Sequence, residues 1–178
     1  VKNLRGEGFN NSTQYVFSLF YPSFVTGKDE NIKLEISLRQ APFDKPVHNL
    51  ITHFYKDPFT GEDLIPRNKI LSLTLKEAVA EKLKAAITRK DVAIRDYYDL
   101  WFISQTKFDF KDKHFFSLFK KKLEADGYKS EYAHNFGLDQ KSIELLYRQI
   151  GTELLPVIRV GENFDLDKVF DRFNVILG

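Results

Sequence analysis

Thr74–Ile103, TLKEAVAEKLKAAITRKDVAIRDYYDLWFI, decides how this chain is read. Thr74 followed three residues later by Glu77 is a capping box, in which a hydroxyl and an acid serve the free amides of a helix start. A helix is therefore predicted over Thr74–Thr88. At about 100° per residue, Leu75, Val79, Leu83 and Ala86 form one apolar stripe, and Lys82 falls about 20° from Leu75, inside it. Arg89 comes within about 20° of Lys82. Lys76, Glu77, Glu81 and Lys84 fall on other faces and read as solvated. Positive charge on an inward face is costly unless something anionic meets it, so the stretch predicts an anion site. Two alternatives need no ligand. Lys82 can snorkel to water along its aliphatic stem, or Lys82 and Arg89 can pair with Asp96 and Asp99.

Those two acids belong to Arg95-Asp96-Tyr97-Tyr98-Asp99-Leu100, which opens a second helix predicted over Ile94–Thr106. Three residues apart, Asp96 and Asp99 share a face, and Arg95 reaches Asp99 one turn on. An acid in the first turn also complements the helix dipole, so capping or ion pairing accounts for Asp96 without any chemistry. If the anion is a ligand, a nucleotide phosphate is the one expected.

Upstream the pattern changes from period 3.6 to period 2. Ile32–Arg39 (IKLEISLR) alternates, with Ile32, Leu34, Ile36 and Leu38 on one face and Lys33, Glu35, Ser37 and Arg39 on the other. Ser12–Tyr21 is rich in aromatic and β-branched residues, and Gly27–Asn31 is turn material, so the two runs predict a hairpin. Residues 1–11, punctuated by Gly6 and Gly8, read as a helix end and loop. Pro42, Pro46, Pro58 and Pro66 then leave room for short strands at Val47–Tyr55 and Lys69–Leu73. Downstream, Phe115–Ala125, Gln140–Ile150 and Leu166–Leu177 carry helical spacing. A β-rich part followed by an α-rich part predicts an α+β fold, with a sheet portion over residues 1–73 and a helical domain over residues 74–178. Lys120-Lys121-Lys122 reads as a solvated helix face. Asp165-Leu166-Asp167, just ahead of the last helix, reads as an ordinary cap.

Composition narrows the function classes. A net charge of +2 does not announce nucleic-acid binding, so any basic site must be local. The 17 Phe and 8 Tyr are expected mostly in the core, Tyr128, Tyr132, Phe136 and Tyr147 included, rather than stacked on RNA bases. The absence of cysteine excludes disulfides and thiolate metal sites and agrees with a reducing, cytoplasmic location. No apolar run approaches the roughly 20 residues that span a bilayer, so no membrane partner is expected. His48, His53, His114 and His134 lack metal-ligand spacing, and neither a P-loop nor a Gly-x-Ser-x-Gly elbow occurs. There is no methionine, so Val1 is not expected to be the native start.

Glu35 sits between Lys33 and Ser37 on the polar strand face. The default is a solvent-facing sheet surface. The functional reading is a carboxylate for Mg²⁺, which takes hard oxygen ligands, with Lys33 and Arg39 beside it to meet phosphate or a nucleic-acid backbone.

Lys33-Leu34-Glu35-Ile36-Ser37, then Ala80-Glu81-Lys82-Leu83-Lys84-Ala85, Arg89 and Arg95-Asp96-Tyr97-Tyr98-Asp99-Leu100, in this order, resemble the AbiEii/AbiGii family of nucleotidyltransferase toxins. The resemblance runs loosely from Phe9 to Ile103. It implies a polymerase-β-like nucleotidyltransferase fold, of which residues 1–73 would be the C-terminal part of the sheet domain. It implies Mg²⁺, an NTP donor and an acceptor, tRNA for some members, and an antitoxin partner. By analogy Glu35 is the third carboxylate at the metals, Lys33, Lys82 and Arg89 hold the nucleotide, and Asp96 is the essential acid. Arg95 and Asp99 support it. The family's Gly-Gly/Ser turn and Asp-x-Asp pair, which belong upstream, are missing before Ile32. The expectation is that an upstream segment carries them, and that a chain beginning at Val1 does not catalyse alone. The alternative is a non-catalytic module of the same fold that binds nucleotide, RNA or an antitoxin.

Overall fold

The alternation at Ile32–Ser37 is realised in a three-stranded antiparallel sheet of β1 (Arg5–Asn11), β2 (Gln14–Pro22) and β3 (Asp29–Ser37), in chain order. The computed structural model describes residues 5–11, 14–38, 40–52, 55–128 and 137–177, so Arg39, His53, Tyr132, His134 and Phe136 lie outside the described residues. The register sets Leu19 opposite Ile32, Phe17 opposite Leu34, and Tyr15 opposite Ile36, which puts the apolar rows of both strands on one face, as period 2 requires. Gly27, at φ 66°, lets the chain reverse in the predicted hairpin. Residues 5–11 are a strand, against the expected helix end and loop. Their glycines hid the strand signal, and Gly8 has a packing reason to be there. A Cβ at Gly8 would come within 3.0 Å of the Phe17 ring on the neighbouring strand.

The chain divides into two compact units, Val1–Ala41 and Pro42–Gly178. The second begins with a two-stranded antiparallel ribbon of β4 (Val47–Leu50) and β5 (Lys69–Ser72). The first of these strands is shorter than the predicted Val47–Tyr55. Five α-helices follow among the described residues: α1 (Leu75–Thr88), α2 (Ile94–Ser104), α3 (Lys113–Ala125), α4 (Gln140–Gln149) and α5 (Leu166–Leu177). A π-helical turn at Ile150–Leu154 extends α4. The architecture is α+β.

The starts of α3, α4 and α5 each have a local sequence reason. Asp112 accepts the Phe115 amide at 2.8 Å, and Asp139 accepts that of Ser142 at 2.7 Å. Asp165 accepts the Lys168 amide at 3.2 Å, while Asp167 accepts the Tyr147 hydroxyl at 2.5 Å, so the Asp165-x-Asp167 pair works as a cap and a tether. The core joins Val79, Ala80, Leu83 and Ala86 of α1 to Phe115, Leu118, Phe119 and Leu123 of α3, and to Val169 and Phe173 of α5. Phe110 packs edge-to-face on both Phe115 and Phe173. No described helix is long and apolar enough to cross a membrane.

Two charges read as solvated are buried. Glu77 is 0% exposed and Lys122 is 2% exposed, and they pair at 2.9 Å. The capping box is therefore only half made. Thr74 Oγ1 accepts the Glu77 amide at 3.2 Å, but the Glu77 carboxylate accepts the amides of Phe43 and Asp44 at 2.8 and 2.9 Å. Lys122 also donates to Glu81 at 2.7 Å and lies 5.2 Å from the Phe43 ring centroid. Lys84 is likewise largely covered, between Glu81 at 3.1 Å and Asp126 at 2.7 Å. Burial alone would push the Glu77 carboxyl up, but the Lys122 ammonium and the two amides outweigh it and hold the carboxyl below its ordinary value.

Breaking a buried pair from one side strands the other charge, at a cost of about 3–5 kcal/mol. Lys122→Met is expected to lower unfolding free energy by about that amount in urea titrations, while Lys121→Met, at the exposed neighbour, changes it by less than about 0.5 kcal/mol. Because the Glu77 carboxyl is lowered on folding, its contribution is present above the unfolded value and is lost as pH falls through the folded one. Glu77→Gln is expected to flatten this acid limb of the stability profile.

Candidate active site

The corner between α1 and α2 gathers the charged residues singled out in Thr74–Ile103. Its geometry starts at the end of α1. Arg89 is the C-cap, with φ −67° and ψ 124°, so its backbone has left the helix and a helical wheel no longer places its side chain. The Ala86 carbonyl near that end accepts the buried Tyr97 hydroxyl at 2.8 Å, and the Thr88 carbonyl accepts the Tyr128 hydroxyl at 3.2 Å. The start of α2 has no side-chain cap of its own. Gln149 of α4 supplies one, accepting the Ile94 amide at 3.0 Å and donating to the Val92 carbonyl at 3.2 Å. Both helix ends are thus tied by side chains distant in sequence, which fixes the turn that carries Arg89, Arg95 and Asp96.

Lys82 is not on the buried stripe. Its side chain is 46% exposed and pairs with Asp99 at 2.5 Å. The buried arc of α1 runs through Val79, Ala80, Leu83, Ala86 and Ile87. Leu75, taken as the stripe's first member, is 67% exposed in the first turn. Anchoring the wheel on Leu75 rotated the face toward Lys82. The inward charge at this corner is the acid: Asp96 is 2% exposed.

Arg89 Nε stands 3.0 Å from Asp96 Oδ2, and its alignment makes an ion pair without a hydrogen bond, so this buried oxygen has no hydrogen-bond partner. Burial raises the Asp96 carboxyl above its ordinary value. Arg89, Lys82 and Arg95 oppose that shift through their charges, and Asp99 adds to it. Burial, and secondarily the Asp96 charge, also raise the Tyr97 hydroxyl. The ligand-free ion pairs foreseen for this face are therefore made, Lys82 with Asp99 and Arg89 with Asp96, and Arg95 lies in the same field.

Lys33 and Glu35, in the first unit, stand side by side on β3 at 2.5 Å, with side chains 58% and 50% exposed. Hydrogen bonding and charge from Lys33 lower the Glu35 carboxyl. Mg²⁺ wants near-octahedral oxygen ligation, usually with one or two carboxylates plus substrate phosphates. The register places Val16 opposite Glu35, and the described residues contain no group of three or more His, Cys, Asp or Glu side chains that could hold a metal. One exposed, lysine-paired carboxylate does not compose a magnesium centre.

Helix charges that sequence reading missed have one legible signal. Phe115, Leu118, Phe119, Lys122 and Leu123 follow helical spacing, so Lys122 occupies a core position of its own stripe. Gln149 carries no local signal, because its partners lie 55 and 57 residues away.

The raised carboxyl of Asp96 fixes the sign of its effect on stability. A carboxyl raised on folding adds stability only below its unfolded value, near pH 4, and that contribution is lost as pH rises through the folded value. Asp96→Asn mimics the neutral acid. Its stability relative to the parent is expected to increase from about pH 4 to about pH 7, read as the difference between paired urea unfolding curves. A pH-independent difference would show that burial does not govern Asp96.

The chain matches the family model described as "Nucleotidyl transferase AbiEii toxin, Type IV TA system" over residues 2–167. No curated protein matches it. Among solved structures it is similar to a putative nucleotidyltransferase from H. pylori, with 14% identity, a TM-score of 0.48, and coverage of 99% of this chain and 64% of that one. It is also similar to JHP933 from Helicobacter pylori, with 14% identity, a TM-score of 0.49, and coverage of 97% and 61%. The chain thus spans less than two thirds of the length of either. The family match runs through both units, the strand with Glu35 and the α1–α2 corner alike, and so the chain belongs to the AbiEii nucleotidyltransferase toxin family of type IV toxin–antitoxin systems.

Proposed function

We propose that this chain is the phosphate-holding part of a cytoplasmic nucleotidyltransferase toxin, which transfers a nucleotidyl group from an NTP to an RNA acceptor such as tRNA and is restrained by an antitoxin. The observation that carries this reading is the corner itself. A buried carboxylate with an oxygen free of hydrogen bonds sits among Arg89, Arg95 and Lys82, with the Lys82–Asp99 pair exposed beside it. Perturbed acids beside cations gather where a protein handles charged substrates.

Magnitudes support an exchange at Lys82. An exposed ion pair is worth about 0–1 kcal/mol. A charge-assisted hydrogen bond to phosphate is worth about 1.5–3 kcal/mol. Lys82 can therefore leave Asp99 for a triphosphate oxygen with a net gain. Arg89, held by Asp96, offers a second cation to the same anion, and Arg95 adds to the field. In the reaction, an acceptor hydroxyl attacks the α-phosphorus in line and pyrophosphate leaves. Lys82 and Arg89 bind and orient the triphosphate for that attack. In the first unit, taken by itself, Lys33 is proposed as a phosphate contact and Glu35 as one carboxylate for a divalent metal. Glu35 alone does not hold Mg²⁺.

The second reading is a binding module without turnover, and the pairing of Glu35 with Lys33, with no cluster of three or more metal-ligating side chains among the described residues, is the observation that favours it. The two separate on one preparation of the intact native protein. Labelled NTP is expected to bind, Lys82→Ala to weaken binding by about 10-fold or more, and the melting temperature to stay nearly unchanged. Unaltered binding with a lowered melting temperature would leave Lys82 a structural ion-pair partner only. Binding without pyrophosphate release in the presence of tRNA would establish the non-catalytic module.

A further inference from the structure

Two sets of lysines in the helical unit differ in their partners, while Lys90, Lys107 and Lys141 belong to neither. Lys76, Lys82, Lys84, Lys122 and Lys168 each pair with a carboxylate. Lys111, Lys113, Lys120 and Lys121 have no ion-pair partner among the described residues, yet they line one surface depression with Phe116 and Ser117. Glu124 is the only carboxylate in that lining, and Lys121 acts on Asp44 only through its longer-range field.

Helical spacing builds the depression. Lys113, Phe116, Ser117, Lys120 and Lys121 recur every three or four residues along α3, so they share a face. Lys122, which ends the basic run, turns inward to Glu77. Reading Lys120–Lys122 as one solvated patch therefore joins two different functions. Lys122 holds the bundle, and Lys120 and Lys121 are left for the outer face.

From Lys113 to Lys121 the face extends about 12 Å at 1.5 Å per residue. Successive phosphates advance about 3.4 Å along the axis of a duplex and farther along an extended single strand, so a row this long meets more than one of them. Like charges held together without counter-charges repel, and a chain of regularly spaced anions relieves that repulsion while releasing its own counterions. Phe116 packs edge-to-face on Phe115 and Phe119, which turns its ring to the core rather than offering it as a stacking platform. Ser117 adds a hydroxyl of the kind that contacts phosphate oxygens. This surface carries charge and no base-reading groups.

We propose that the outer face of α3 binds the phosphodiester backbone of an RNA strand, without sequence preference, through Lys111, Lys113, Lys120 and Lys121. The proposal rests on the reading above that the acceptor is an RNA, and it assigns that acceptor a surface separate from Lys82 and Arg89.

The test uses the intact protein and a fluorescein-labelled oligouridylate of about 12 nucleotides, within the usual range of single-strand site sizes. The variant Lys113→Gln/Lys120→Gln/Lys121→Gln should bind it about 10-fold or more weakly at about 0.1 M salt, and the slope of log affinity against log salt should become shallower by about 2, at about 0.7 per lost phosphate contact. The corresponding triple Arg variant should keep both values, as should the control Lys69→Gln/Lys141→Gln. Melting curves should coincide, because the three lysines are exposed. Equal RNA affinity and slope in parent and Gln variant would overturn the proposal, as would failure of the parent to bind RNA. Displacement of RNA by polyglutamate of matched charge as effective as by unlabelled RNA would also overturn it, by assigning the face to an acidic protein. Labelled NTP binding by the Gln variant should match the parent. A parent that binds RNA here but no NTP would sink the nucleotidyltransferase reading and leave this surface standing.

Discussion

The helical unit depends on a carboxylate and an ammonium that have no water. Glu77 and Lys122 are both buried, and neither is tolerable alone. What makes the pair stable is that the surrounding atoms complete it. The amides of Phe43 and Asp44 donate to Glu77, and Glu81 accepts a second bond from Lys122. Asp44 then accepts the Thr74 hydroxyl at 3.0 Å and stands 3.0 Å from His114. One cluster thereby ties the segment ahead of β4, the start of α1, and both ends of α3. An apolar pair of the same size could pack these helices, but it would not bind two consecutive backbone amides and so would not specify where residues 43–44 lie.

Asp96 presents the opposite case. Its burial is incompletely compensated, with one oxygen lacking a hydrogen bond and its nearest cation misaligned for one. A protein selected only for stability gains by replacing such a group with a neutral one. Keeping such an acid beside Arg89, Arg95 and Lys82 is intelligible if, as proposed, the corner receives a charged ligand. The Tyr97 and Gln149 bonds that pin both helix ends show why the acid cannot relax away.

Legibility followed the range of the interaction. The hairpin of β2 and β3, the helices and the caps Thr74 and Asp165 all rest on contacts within a few residues, and periodicity or capping chemistry reveals them. The strand at Arg5–Asn11 escaped because Gly6 and Gly8 carry no side-chain pattern, and only the neighbouring Phe17 ring explains Gly8. At the corner, the residue types and the possible pairings were readable, while the face was not. Leu75 looked like core and is exposed, and the error carried Lys82 inward with it.

The sequence by itself determined the α+β order, the capped start of α1, and the set of charges that meet between α1 and α2, because local backbone chemistry and spacing suffice for these. Only the tertiary structure decided which charges lose water. Lys122 and Glu77 are removed from solvent because α3 closes over α1 and residues 43–44 lie across them, and Lys82 stays in water because no element covers its side of the helix enough to exclude solvent. Desolvation is a property of what surrounds a residue, and for these residues the surroundings come from segments some 30 to 45 positions away.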